Sequence, residues 1–164
     1  MKQEYIKKAN KSCRNNGAIN PVLPAFIEKH FPKNISILDF GAGTNALQAK
    51  HLISKGFSVT AHDFGANVTE VHDPQALNKK YDLVYASNVL NVQSTRQMLH
   101  QTLKQIHSVT KGDFICNYPS SPRYLGLSIS DMEKELSLFF HVERQEAKYN
   151  GAIWKCKSLT SLKS

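Results

Sequence analysis

The sequence predicts an α/β domain, with a mostly parallel sheet covered by helices on both faces and an antiparallel hairpin at the C-terminal end. Three observations predict it. Short β-branched, apolar runs alternate along the chain with amphipathic segments, the pattern of strand–helix–strand units. A Gly41-Ala42-Gly43 break joins the first apolar run to the helix that follows. Asn150-Gly151, a dipeptide favoured in tight hairpins, lies between the last two apolar runs.

Taken in order, Asn20 caps a first helix whose first helical residue is Pro21. Val22, Leu23, Phe26, Ile27 and Phe31 share one face of it, and Pro32 ends it. Residues 35–40 form a buried strand. Residues 45–55 form a second helix with Ala46, Ala49, Leu52 and Ile53 inward and Gly56 as its stop. A strand covers 57–63, a short strand 68–72, and a helical turn follows Pro74 through Leu77. Residues 81–86 are another strand. Ser94 and Gln97 cap a helix that runs to Val109, with Met98, Leu99, Leu103 and Ile106 as its core stripe and Gly112 as its close. A strand at 114–118 ends at Pro119. Ser130 and Glu133 cap a last helix that buries Met132, Leu136, Phe139 and Phe140, and strands at 141–147 and 152–157 flank the Asn150-Gly151 turn.

With 164 residues, 41% hydrophobic and 21% charged, the chain has the length and composition of one globular domain and excludes a disordered or fibrous protein. No apolar run reaches the ~18 residues of a membrane span. The N-terminal residues lack the apolar core of a secretory signal, so the expected location is the cytoplasm. Cys13, Cys116 and Cys156 have neither disulfide nor zinc spacing and read as free thiols. The seven histidines are scattered, with no metal site among them.

Charge is concentrated at the ends. Lys2, Lys7, Lys8, Lys11 and Arg14 against Glu4 give residues 1–14 a net charge of +4, and Lys155, Lys157 and Lys163 give the last ten residues +3, out of +8 for the whole chain. The expected organisation is a basic arm at 1–19, a domain at 20–157 and a tail at 158–164. Basic termini on a nearly neutral body suit contact with phosphates, hence a nucleic-acid partner.

Ligands of such sheets bind at the carboxyl ends of the strands. The sharpest signal there is Asp39, Gly41 and Gly43, placed between a strand and a helix. The glycines allow a tight turn and a close ligand. Asp63, 24 residues beyond Asp39, closes the next strand, where a carboxylate accepts both hydroxyls of a ribose. Gly41, Gly43 and Ala46 also match a dinucleotide fingerprint. Asp39 weighs against that reading, because a carboxylate two positions before the glycine repels a pyrophosphate and suits a cationic or amine-bearing ligand.

On Asp39, Gly41, Gly43, Asp63 and the strand Tyr81 to Val84, residues 20–157 resemble the class I S-adenosylmethionine-dependent methyltransferases, a Rossmann-like fold. The segment from Tyr85 to Val92 is similar to the matching strand end in poorly characterised bacterial and phage methyltransferase-like proteins. The resemblance implies S-adenosylmethionine as cofactor. Its methionine portion would lie over the glycine loop with Asp39 near the amino group, Asp63 and the adjacent Phe64 would hold the adenosine, Asp73 would lie near the adenine amine, and Ser87 and Asn88 would lie at the methionine end. Asn45 stands where the family often has a third glycine.

Asn117, Tyr118 and Pro119 are similar to the Asn-Pro-Pro-aromatic motif of amino-methyltransferases, in which the Asn oxygen accepts from the target amine and the ring stacks on the target. Asn117 and Tyr118 are therefore the expected catalytic pair. They follow the fifth expected strand, where that motif follows the fourth. Arg123 and Tyr124 offer a phosphate contact and a stacking face. The expected activity is methyl transfer by direct displacement, to a nucleic acid in preference to a small molecule. The alternatives are a non-catalytic S-adenosylmethionine-binding module, acting as a partner subunit or homo-oligomer, and a nicotinamide-dependent enzyme.

Overall fold

The computed structural model describes residues 20–160 together with Gln3, Glu4, Ile6 and Lys7. Most of the basic arm, Cys13 and Lys163 lie outside the described residues. Six strands form one sheet: β1 (Ser36–Phe40), β2 (Ser58–His62), β3 (Tyr81–Ala86), β4 (Thr110–Pro119), β5 (Phe140–Gln145) and β6 (Gly151–Ser158). Their order is β2-β1-β3-β4-β6-β5. β2, β1, β3 and β4 are parallel, and β6 runs antiparallel between β4 and β5. Between residues 20 and 160 the α-helices are α1 (Val22–His30), α2 (Leu47–Ser54), α3 (Arg96–Val109) and α4 (Ile129–Leu136).

Strand alternation sorts the core into two layers. Ile37, Leu83, Tyr85, Ile115 and Ile153 pack with Leu23, Phe26 and Ile27 of α1 and Leu52 of α2. The intervening residues Leu38, Val84, Phe114, Cys116 and Trp154 pack with Leu99, Leu103 and Ile106 of α3 and Met132 and Leu136 of α4. Asp39 and Asn117 are two residues from Ile37 and Ile115, so both occupy the α1–α2 face, at the C-terminal end of their strands.

Several expectations are corrected. Residues 68–72 form a turn rather than a strand. Among the described residues β2 is an edge of the sheet, and His72 Nδ1 takes the Thr69 N–H instead. Asn117 therefore lies on the fourth strand in chain order, yet β3 still separates that strand from β1. Ile53 is 51% exposed, on the outer face of α2. Helix caps are shifted: Thr95, not Ser94, accepts from Met98 N, and Ser128, not Ser130, accepts from Asp131 N. Phe139 and Phe140 are buried but follow α4, and Phe140 opens β5.

Gly112 does not stop a helix. It sits in β4 where the register with β3 shifts by one residue, and a side chain there would run into the Asp82 carbonyl. The last hairpin turns through residues 146–150, with Gly151 already in β6. Cys116 and Cys156 are buried free thiols. Among the described residues no helix is long and apolar enough to cross a membrane, and no group of three or more His, Cys, Asp or Glu could hold a metal.

Candidate active site at the strand ends

The turn after β1 is fixed from three sides. Gly41 and Ala42 both donate their N–H to the His62 carbonyl at 2.9 Å. Gly43 donates to Asp63 Oδ2 at 2.6 Å, and its carbonyl accepts from His72 Nε2 at 2.8 Å. Because the Thr69 N–H can only donate, His72 Nδ1 is the acceptor and Nε2 carries the proton. The segment after β2 adds two ties, Thr44 Oγ1 to Asn67 Oδ1 and Thr69 Oγ1 to the Thr44 carbonyl. Gly41 has φ 75° and Gly43 φ 80°, which glycine adopts without strain. A Cβ on Gly41 would approach Val89 Cγ2 to 2.7 Å, so the glycine is required first by packing against the turn after β3.

Asp39 and Tyr85 are cross-strand neighbours, and the Tyr85 hydroxyl donates to Asp39 Oδ2 at 2.7 Å. Asp39 is 2% exposed. Burial pushes its carboxyl up to about 7; the Tyr85 hydrogen bond opposes this and the charge of Asp63 adds to it. Asp39 is thus a buried carboxyl balanced near neutrality. Tyr85 is pushed up by burial and by Asp39, so it remains a donor.

This has a consequence for stability. An acid whose folded pKa exceeds its unfolded value holds its proton more tightly when folded. Stability then falls as pH rises from about 4 to about 7, and levels off above. Asp39→Asn, which keeps an acceptor for Tyr85, is expected to flatten that slope. Thermal unfolding of both proteins between pH 4 and 8 measures it.

Asp63 Oδ1 accepts from Phe64 N at 2.7 Å and from Asn67 Nδ2 at 3.5 Å. With Gly43 N on Oδ2, three of about four acceptor positions are taken and one remains. Phe64 packs edge-on to Phe40 and His62. Ser87 Oγ accepts from Gln48 Nε2 at 2.9 Å, and Gln48 Oε1 is buried with no partner among the described residues. Asn45 is exposed. Asp73 turns its carboxylate into its own turn, toward Gln75 N at 2.8 Å and Lys79 at 3.8 Å.

Asn88 has φ 57°, a left-handed conformation that Asn tolerates. Asn117 holds it there. Asn88 N donates to Asn117 Oδ1 at 2.8 Å, and Asn117 Nδ2 donates to Asn88 Oδ1 at 2.9 Å and to the Tyr149 hydroxyl at 3.1 Å. Tyr118 lies inward: it is fully buried, packs near Trp154, and donates to the Leu127 carbonyl at 2.8 Å. Its ring is part of the core and does not face the rim, which corrects the expectation of a ring stacked on the target.

The structure therefore brings together Asp39, Gly41, Gly43 and Asp63 around one turn, links Ser87 to Gln48, and joins Asn88 to Asn117. The sequence reading missed Tyr85, Gln48, His72 and Tyr149. Tyr85 was open to detection, since it alternates with Leu83 and lies opposite Asp39 once β1 and β3 pair. His72, one of the scattered histidines, is 6% exposed.

Comparison with known proteins agrees with this geometry. Residues 12–161 match the profile of a family described as a methyltransferase domain. No curated protein sequence matches the chain. Among solved structures, a protein from Pyrococcus horikoshii OT3 superposes with a TM-score of 0.69 at 15% identity, over 97% of this chain and 100% of that one. A TehB-like S-adenosylmethionine-dependent methyltransferase from Corynebacterium glutamicum gives 0.63 at 14% identity, over 96% and 95%. Magnesium protoporphyrin IX methyltransferase from Synechocystis PCC 6803, crystallised with S-adenosylmethionine, gives 0.58 at 15%, over 84% and 76%. At these identities the neighbours show the fold alone, and that fold is the class I methyltransferase fold. With the family profile spanning nearly the whole chain, the protein belongs to the methyltransferase domain family.

Proposed function

We propose that the chain transfers a methyl group from S-adenosylmethionine to an acceptor bound where β3 and β4 end. The observation that carries this reading is the polarity of the turn after β1. A pyrophosphate needs free backbone N–H groups at such a turn. Here those of Gly41, Ala42 and Gly43 are all committed within the protein, and Asp39 and Asp63 add carboxyl groups. A ligand bearing an ammonium and a sulfonium fits what is present. Gln48 Oε1 is a buried acceptor lacking a partner among the described residues, and Asp39 needs only a nearby cation to ionise at neutral pH. The remaining acceptor position of Asp63 suits a ribose hydroxyl, with Phe64 beside it.

The bound cofactor would supply a methyl group already activated by positive sulfur. The task left to the protein is to orient the acceptor and exclude water. Asn117 serves this by fixing Asn88, and is a positioning residue. The basic arm expected to meet nucleic acid lies mostly outside the described residues, and no observation at the strand ends favours a nucleic acid over a small molecule.

Binding of S-adenosylhomocysteine, which keeps the ammonium, should release protons near pH 7 as Asp39 ionises. Calorimetry in two buffers of different ionisation heat measures this. Buffer-dependent heat that disappears in Asp39→Asn is the expected result; absence of binding would end the proposal.

A further inference from the structure

Every amide oxygen in the Asn88–Asn117 pair faces another member of the pair. The orientation is fixed, because the Asn88 backbone N–H can only donate and therefore requires Oδ1 of Asn117 opposite it at 2.8 Å. Asn117 Nδ2 must then give its two hydrogens to Asn88 Oδ1 and the Tyr149 oxygen. Asn117 is fully buried. What the network turns outward is donors. Asn88 is exposed, and its Nδ2 has no acceptor among the described residues. The Tyr149 hydroxyl receives Asn117 Nδ2, and its own proton likewise has no acceptor among them. This is the reverse of a site that accepts from a target amine.

Tyr149 is built into this place. Gly151 is the reason: a Cβ there would come within 2.7 Å of Tyr149 Cε1 and would meet the Tyr118 carbonyl. The loop carrying Tyr149 is tied to the end of β4 by Ser120 N to the Asn150 carbonyl at 3.2 Å and Ser120 Oγ to Asn150 Oδ1 at 2.9 Å. Burial pushes the Tyr149 phenol up, so it stays protonated as a donor. Arg123, after β4, and Lys148, before β6, are exposed, with no acidic partner among the described residues, and Glu146 is an exposed acid two residues before Lys148.

Resting on the methyltransferase reading, we propose that Asn88 and Tyr149 form an acceptor subsite for an oxygen nucleophile of the carboxylate or acidic phenol class, held by the Asn88 Nδ2 and Tyr149 hydroxyl donors. An oxyanion held there needs no base. It attacks the methyl carbon, an O–C bond forms, the S–C bond breaks with its electron pair left on sulfur, and no proton leaves the acceptor. An amine held there would find a single acceptor, the second lone pair of the Tyr149 hydroxyl oxygen, against two donors.

The test is a titration of the full chain with benzoate and with benzylamine, followed through the Asn88 side-chain amide in proton–nitrogen spectra. S-adenosylhomocysteine binding is measured on the same samples. Benzoate should shift the Asn88 amide, and Tyr149→Phe should weaken benzoate by about tenfold, the loss expected for one hydrogen bond to a charged group. Tyr149→Phe keeps the ring that Gly151 accommodates, and circular dichroism checks its fold. With cofactor present, carboxylates and acidic phenols should be methylated ahead of amines. A benzylamine response at Asn88 without a benzoate response, or unchanged benzoate affinity in Tyr149→Phe, overturns the subsite. If S-adenosylhomocysteine binds while the benzoate arms fail, only the acceptor inference falls; if it does not bind, the methyltransferase reading falls first.

Discussion

Asp63→Ala is expected to weaken cofactor binding by about 1.5–3 kcal/mol, roughly 10- to 150-fold, the range for hydrogen bonds to a charged group. Two effects combine. The carboxylate proposed to hold the ribose is gone, and the Gly43 N–H loses its 2.6 Å partner. The turn keeps the Gly41 and Ala42 bonds to the His62 carbonyl and the His72 bond to the Gly43 carbonyl, so the fold should survive. Calorimetry with S-adenosylhomocysteine, accompanied by circular dichroism, reads the change. A folded Asp63→Ala with undiminished affinity would assign the carboxylate to loop structure alone.

Asn117→Ala is expected to affect stability and transfer together. It removes a fully buried side chain with three hydrogen bonds and leaves the left-handed Asn88 without its brace. Loss of such a buried polar group costs about 1–3 kcal/mol. For a chain of this length that lowers Tm by about 2–4 °C per kcal/mol. Methyl transfer should fall far more than cofactor affinity, because the interactions lost lie at the acceptor end. Comparing kcat with cofactor Kd in the folded mutant tests this. Parallel losses in both would place Asn117 in cofactor binding instead.

The parallel half of the fold was legible because its signals are local. The Ile35 to Phe40 run, the Gly41–Gly43 break and the Tyr81 to Ala86 run each carry strand or turn chemistry in adjacent residues. The errors arose where a residue's meaning depends on a distant partner. Val68 to His72 has the composition of a strand, but β2 is an edge of the sheet among the described residues, and His72 is satisfied by the Gly43 carbonyl and Thr69 N. Gly112 resembles a helix stop until β3 places the Asp82 carbonyl against it.

The site divides in the same way. Asp39, Gly41 and Gly43 lie within five residues and Asp63 follows the next strand, and they gather around one turn. Asn117 and Tyr118 are adjacent in sequence, but alternation along β4 sends them to opposite faces. One braces Asn88 and the other enters the core. Tyr149 gave no signal, because its place beside Asn117 exists only after β6 inserts next to β4.

In the proposed function, the turn after β1 serves a cationic methyl donor and not a pyrophosphate. Parallel calorimetric titrations of the full chain with S-adenosylmethionine and with NAD test it most directly. Saturable binding of S-adenosylmethionine, with NAD silent, is the predicted result. Binding of NAD in preference to S-adenosylmethionine would contradict it.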